Sequence, residues 1–221
     1  FRVLAARGFP HVHNIPTHHA MALYIAGQCF DQEQWCQAAR EFMPRVVAAQ
    51  DPAGFWSEHF GPVVSYNFTY VEALGVYYHY TRDPAVLEAL RRAAVFHAGI
   101  LWPDGSSVAC IDERVIYLPG VATGNVGFSW TPEGRGFLLR QIWQYSAGGE
   151  RLIDADWAAT MLRYGGTGEG IAPPATADES TAVVGDLAQP ERGAAVIRRS
   201  RPWQWALSGY ACPPLNSRWI Q

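Results

Sequence analysis

The sequence predicts a mainly α fold in which helical hairpins repeat, followed by the start of a β-sheet domain. Three observations carry this expectation. A pattern of long loop, helix, short turn and helix occurs three times. Two of the long loops share a glycine-centred turn, Asp51-Pro-Ala-Gly-Phe-Trp and Trp102-Pro-Asp-Gly-Ser, with Gly54 and Gly105 standing 51 residues apart. Past Gly166 the helical period gives way to short runs punctuated by Pro and Gly.

The first hairpin is expected from Thr17 to about Gln28. Asp31, with Gln34 at capping-box spacing, then opens a helix whose Trp35, Ala39, Phe42, Val46 and Ala49 share one face. The second runs from about Val63 to Tyr80, turns at Thr81-Arg82-Asp83-Pro84 and continues to Leu101, with Asp83 as N-cap and Pro84 at the first helical position. Leu87, Leu90, Ala94, His97 and Leu101 form its buried stripe, His97 being read as a core histidine with its hydrogen bonds satisfied. The third begins at Thr131-Pro132-Glu133, reaches about Tyr145, turns at Gly148-Gly149 and stops at Tyr164 before Gly165 and Gly166. Alternating long and short connectors would set all the long loops on one side of the assembly. Residues 1–165 thus read as the helical portion and 166–190 as linker or loop. Residues 191–221 read as the beginning of a β-sheet domain, with strands at Ala194–Arg199, Trp203–Leu207 and Arg218–Ile220.

Composition narrows the function. The chain has 221 residues, 49% hydrophobic and 17% charged, enough to bury a sizeable core. All 17 basic residues are arginine, which removes lysine Schiff-base and P-loop chemistry. A net charge of −3 with no basic stripe gives no support for a nucleic-acid partner, and no apolar run is long enough for a membrane span. Cys29, Cys36, Cys110 and Cys212 show no CxxC or metal spacing and read as buried free thiols. The chain opens on Phe1 rather than Met and stops after Asn216–Gln221 without a tail, so it is expected to be a piece of a longer protein.

If the long loops share a side, their polar residues converge. The first holds His11, His13 and Asn14, with His18 and His19 at the helix start; four of the seven histidines therefore lie between positions 11 and 19. Their spacing matches no HExxH or Cys/His pattern, so capping or surface histidines are the default. No cofactor is expected, and a structural metal is unsupported. The second loop brings Trp56, Glu58 and His59, then Tyr66, Asn67 and Tyr70. The third brings Trp102, Asp104, Asp112, Glu113, Arg114, Tyr117 and Trp130. Tyr66 and Tyr70 share a helical face with Leu74 and Tyr77. Packing into the core is the plainer reading for Tyr70 and Tyr77, whereas the Tyr66 hydroxyl, nearest the loop, could reach a cleft. Glu58 fits a general acid, an acceptor for sugar hydroxyls, or the partner of an arginine such as Arg114. Trp56, Trp102 and Trp130 could stack on sugar rings or simply pack.

The run Asp51-Pro-Ala-Gly-Phe-Trp-Ser-Glu-His-Phe-Gly-Pro, followed by Tyr66, Asn67 and an aromatic helix, resembles the heparinase II/III-like and alginate lyase group of polysaccharide lyases. The likeness extends through Trp102-Pro-Asp-Gly-Ser and the Arg114 region to the strand near Ala194. The resemblance implies an incomplete α/α toroid followed by the start of a β-sandwich, and secretion or a periplasmic location. The implied activity is cleavage of a uronate-containing polysaccharide by β-elimination. Such chemistry needs a neutraliser of the uronate carboxylate, a base for the C5 proton and an acid for the leaving oxygen, because the enolate-like charge must be stabilised as it forms. The resemblance implies Asn14 with His18 or His19 for the neutralising pair and Tyr66 as base and acid. His59 is the rival histidine, because Ile15 and Pro16 follow Asn14 where the group often has His or Trp. Arg114 would sit where it could lower a tyrosine pKa, ordinarily near ~10. Trp56, Glu58, Asn67, Tyr70, Trp102, Asp112 and Trp130 are the expected contacts to an acidic poly- or oligosaccharide. Two other readings stay open: a toroid glycoside hydrolase using Glu58 and Asp112 as a carboxylate pair, and a non-catalytic carbohydrate-binding protein.

Overall fold

The structure is a computed structural model that describes residues 6, 8–58, 61–111, 124–147, 155–185 and 193–210. Among these the chain is mainly helical, with a small antiparallel sheet toward its C-terminal end. The helices are α1 (Asn14–Cys29), α2 (Glu33–Ala48), α3 (Val64–Thr81), α4 (Pro84–Gly99), α5 (Pro132–Ala147) and α6 (Ala155–Tyr164). A two-residue ladder joins β1 (Ser57–Glu58) to β2 (Gly61–Pro62). The larger sheet holds β3 (Glu179–Val184), β4 (Ala195–Ser200) and β5 (Trp203–Ser208) in that order.

The second hairpin forms where its sequence predicts. The Asp83 carboxylate accepts from the Ala85 N–H at 2.8 Å with Pro84 opening α4, so two of the helix's features are local. Its buried stripe is Val86, Ala89, Leu90, Ala93, Ala94 and His97; Leu87 lies only partly covered. The first hairpin departs at its turn. Asp31 adopts a left-handed backbone (φ 52) and caps nothing; α2 starts after Gln32, whose amide bonds back to the carbonyls of Phe30 and Asp31. A residue held at positive φ cannot also take the extended conformation an N-cap needs.

Helices α1 and α3 run in the same direction side by side: His18 lies beside Glu72, and Tyr24 meets Tyr77 with ring centroids 5.0 Å apart. Helices α2 and α4 back them as a second layer. The third repeat changes the arrangement. Instead of an α-helix, residues 124–130, with a short 3-10 helix over Val126–Trp130, continue the first layer by lying along α3. Asn125 donates to the Phe68 carbonyl at 2.7 Å, Gly127 presses on Val71, and the Trp130 indole N–H donates to the Gly75 carbonyl at 3.0 Å. This close approach requires glycine on both sides, since a Cβ on Gly75 would strike the Gly127 backbone and one on Gly127 would strike the Val71 carbonyl. The segment delivers the chain to the far end of α3, so α5 runs antiparallel to α3 and parallel to α4. Glu133 at its start faces Arg91, and Phe137 a turn later packs near His97 and Phe68. Helix α5 therefore stands beside α4 in the second layer, and α6 packs on residues 126–130 and α3.

The two glycine turns share one local form. Gly54 (φ 103) and Gly105 (φ 83) each close a turn back to the carbonyl three residues earlier. Each turn is then held by a glutamine: Gln50 donates to the Gly54 carbonyl at 3.0 Å and Gln141 to that of Gly105 at 3.1 Å. Both turns sit at the end of the molecule where α1 and α3 begin.

One apolar cluster fills the space between the helical layers; a second joins Phe55, Val64, Phe96, Ile100, Val108 and Ile111 to the inner face of the sheet, Val184, Ala195 and Ile197. Strand β3 falls inside the 166–190 stretch expected to be loop. Its Ala and Thr content hides a strand whose inward residues are small because they rest on the second cluster. The strands at Ala195–Ser200 and Trp203–Ser208 match their predicted positions within a residue, whereas the one expected at 218–220 lies outside the described residues.

Candidate functional site

The polar groups of the first two long loops meet at the carboxylate of Glu58. The β1–β2 ladder turns this side chain inward, where it is 1% exposed. Its Oε1 accepts from the backbone N–H of Asn14 at 2.9 Å and from the Tyr70 hydroxyl at 2.8 Å. Asn14 opens α1, whose N-cap residue His13 supplies no side-chain cap, so a carboxylate from another loop satisfies an otherwise orphaned helix donor. The Nε2 of His13 lies 2.8 Å from Oε2, in ion-pair range but off the line of a directed hydrogen bond. The other ring nitrogen, Nδ1, faces Asn14 Oδ1 at 3.1 Å. The His13 ring is 48% exposed, so it links the buried carboxylate to solvent.

Around this group the neighbours are anchors. Trp56 stacks on Tyr70 with centroids 5.0 Å apart and 8° between planes, and its indole N–H donates to the Val46 carbonyl at 2.8 Å. Asn67 clamps the Trp56 backbone, accepting from its N–H at 2.7 Å and donating to its carbonyl at 3.0 Å. Burial, then the hydrogen bond to Glu58, push the Tyr70 hydroxyl well above the usual phenol range, so it stays protonated and serves as a donor. Trp56, Asn67 and Tyr70, expected to touch sugar, are at most 1% exposed and offer no surface to a ligand in this conformation. Glu58 is likewise too enclosed to protonate a glycosidic oxygen directly.

Tyr66 is half-buried on the first turn of α3, one turn before Tyr70, at the rim of the same cluster. His18 is half-exposed and lies 3.8 Å from Glu72; His19 is exposed, and the two point to different sides of α1. Neither comes within bonding distance of Glu58. His59, Asp112 and Arg114 fall outside the described residues. Trp102, half-buried, packs against the cluster beneath the sheet. Trp130 stands at the opposite end of α3, packed edge-on to Tyr78 with the Arg82 guanidinium 4.5 Å over its ring. The long loops thus do not all share one side, because residues 124–130 cross the length of α3.

The histidine that sequence reasoning left out of the site is His13. Its signal was its place immediately before a helix start, one residue from Asn14. His97 also differs from expectation. It is fully buried among Phe68, Phe96, Phe128 and Phe137, and neither ring nitrogen has a hydrogen-bond partner among the described residues. Burial pushes its pKa down to about 3, so it is a neutral aromatic filler. Cys36 is a buried free thiol but Cys29 is an exposed one. Among the described residues no group of three or more His, Cys, Asp or Glu is placed to hold a metal ion, and no helix is long and apolar enough to cross a membrane.

No protein-family model matches this chain, and neither a curated protein nor a solved structure matches it significantly.

Proposed function

We propose that this chain is a polysaccharide lyase-like protein that cleaves a uronate-containing polysaccharide by β-elimination, on an arc of α/α toroid whose active rim is the end where α1 and α3 begin. The observation that carries the reading is the buried Glu58 carboxylate tied at once to the head of α1, to Tyr70 and to the exposed imidazole of His13. Glu58 and Tyr70 are positioning residues in this scheme. They fix the His13 ring beside the N-terminus of α1, where helix N–H groups and a histidine together favour a carboxylate. A uronate held there has its carboxylate charge stabilised as the C5 proton departs. Tyr66, at the same rim, takes the C5 proton onto its phenolate oxygen; the electron pair forms the C4–C5 double bond, the C4–O bond breaks, and the Tyr66 hydroxyl returns the proton to the leaving oxygen. The likeness of the 51–62 segment to heparinase II/III-like and alginate lyase proteins supports the same assignment. The hydrolase alternative loses ground because Glu58 is enclosed and committed to three partners.

The test is a screen of alginate, heparan, chondroitin and pectic polymers for the conjugated product, which absorbs near ~230 nm because elimination removes the C5 proton. The expected result is an absorbing product whose formation falls at least ~100-fold in Tyr66→Phe, the scale of a lost acid or base. New reducing ends without absorbance would replace the proposal with hydrolysis, and glycan binding without product would leave a carbohydrate-binding protein.

A further inference from the structure

A second site lies on α5, built from residues that the Glu58 cluster does not use. The loop after α6 is locked onto this helix: Ile171 donates its N–H to the Pro132 carbonyl at 2.9 Å, and the Arg135 guanidinium donates to the carbonyls of Glu169 and Ser129 at 2.8 Å each. Gly136 and Gly170 touch backbone to backbone, because a Cβ on Gly170 would come within 2.6 Å of the Gly136 nitrogen. A turn further along α5, Arg140, Trp143 and Gln144 hold the loop away, and a cavity of about 510 Å³ opens between them and Ala172, Pro173 and Thr176. That volume is in the range of small-ligand sites.

The lining has a marked chemistry. Trp143 is 75% exposed, one helical turn beyond the half-exposed Leu139. Arg140 donates to the Pro103 carbonyl and through both Nη groups to the Gln144 side-chain oxygen, while its Nε is buried with no hydrogen-bond partner among the described residues. Arg199 stands close enough for the two charges to oppose each other. Burial first, and then Arg199, hold the Arg140 guanidinium below its ordinary value, with Asp104 offsetting part of that effect. A cation short of anionic partners, beside an open indole face, calls for a ligand that brings a carboxylate and a flat CH-bearing ring together.

We propose that this cavity is a separate binding site for a uronate residue of an acidic oligosaccharide, the sugar ring lying on Trp143 and the carboxylate meeting Arg140. The choice of an acidic sugar rests on the proposed function; the presence of a site for a carboxylated ring rests on the cavity itself. Because Arg140 and Gln141 reach the 103–105 turn, the site lies at the same end as the rim, and it would hold a polymer beside the reacting groups and raise its local concentration there.

Calorimetric titration of the full chain with galacturonate and mannuronate trimers, and with the neutral glucose trimer, tests this. At least one acidic trimer is expected to bind, the neutral one about tenfold more weakly, and Trp143→Ala and Arg140→Met each to weaken binding about tenfold, a difference well within reach of the method. Trp143 is so exposed that its truncation tests the site without endangering the fold. Absence of binding by both acidic trimers up to about 10 mM, equal binding of the neutral trimer, or indifference to both substitutions would overturn the proposal. The polymer screen separates the two claims. Loss of trimer binding in Trp143→Ala with no unsaturated product from any polymer removes the lyase reading and keeps this site, and the converse result removes the site alone.

Discussion

At the start of α3, Trp56 donates its indole N–H to Val46 and stacks on Tyr70, and beneath that pair lies a carboxylate whose outer partner is an exposed histidine. At the far end, Trp130 donates to Gly75, packs edge-on to Tyr78 and carries the Arg82 guanidinium on its face. Both ends thus use a loop tryptophan as an anchor onto a helix carbonyl. What separates them is a buried charge connected to solvent at one end and a cation laid over aromatic rings at the other. A loop tryptophan is therefore poor evidence of a sugar site in this chain. A buried carboxylate reached by an exposed histidine is better evidence, because the cost of enclosing that charge is met only by several well-placed donors.

The largest effect that would break this contrast is at Glu58. Its replacement by alanine leaves the Asn14 N–H and the Tyr70 hydroxyl buried without a partner and should cost about 3–5 kcal/mol of stability, read from the denaturant midpoint. Trp130→Ala should cost somewhat less, about 2–4 kcal/mol, since the ring is only partly buried, and it should leave polymer cleavage unchanged. His97 sharpens the picture from the core between the two ends. With its pKa pushed from 6.5 to about 3, the unfolded chain binds the extra proton in that interval. Stability should therefore fall as pH drops through it, by about 1.4 kcal/mol per pH unit, and His97→Phe should flatten that part of the profile. The smallest expected effect is at the far-end turn, where Asp83→Ala removes the α4 cap at a cost of about 1 kcal/mol in thermal or chemical melts.

How much of this was legible depended on whether the cause was local. The Asp83-Pro84 start of α4 and the glycine turns at 54 and 105 follow from residues acting on their own stretch of backbone. The placement of α5 in the second layer is set by a non-local contact, Gly127 against Val71, which no period in either segment announces. Strand β3 carries a weak signal because its inward residues are small and it lacks the aromatic alternation of β5. At the site, Glu58, Asn14 and Tyr66 stood out as polar residues at loop–helix junctions. The structural roles of Trp56, Asn67 and Tyr70 depend on contacts across as many as twelve residues and could not be told from ligand contacts by type alone.

The most direct test of the lyase reading compares initial rates of unsaturated-uronate formation for His13→Gln and Trp130→Phe on whichever polymer the wild-type chain cleaves. A loss of at least ~100-fold for His13→Gln, with the Trp130→Phe rate unchanged and both proteins folded by near-UV circular dichroism, is the predicted outcome. Equal rates for the two variants would show that the end of α3 at Glu58 is no more catalytic than the other, and would contradict the assignment.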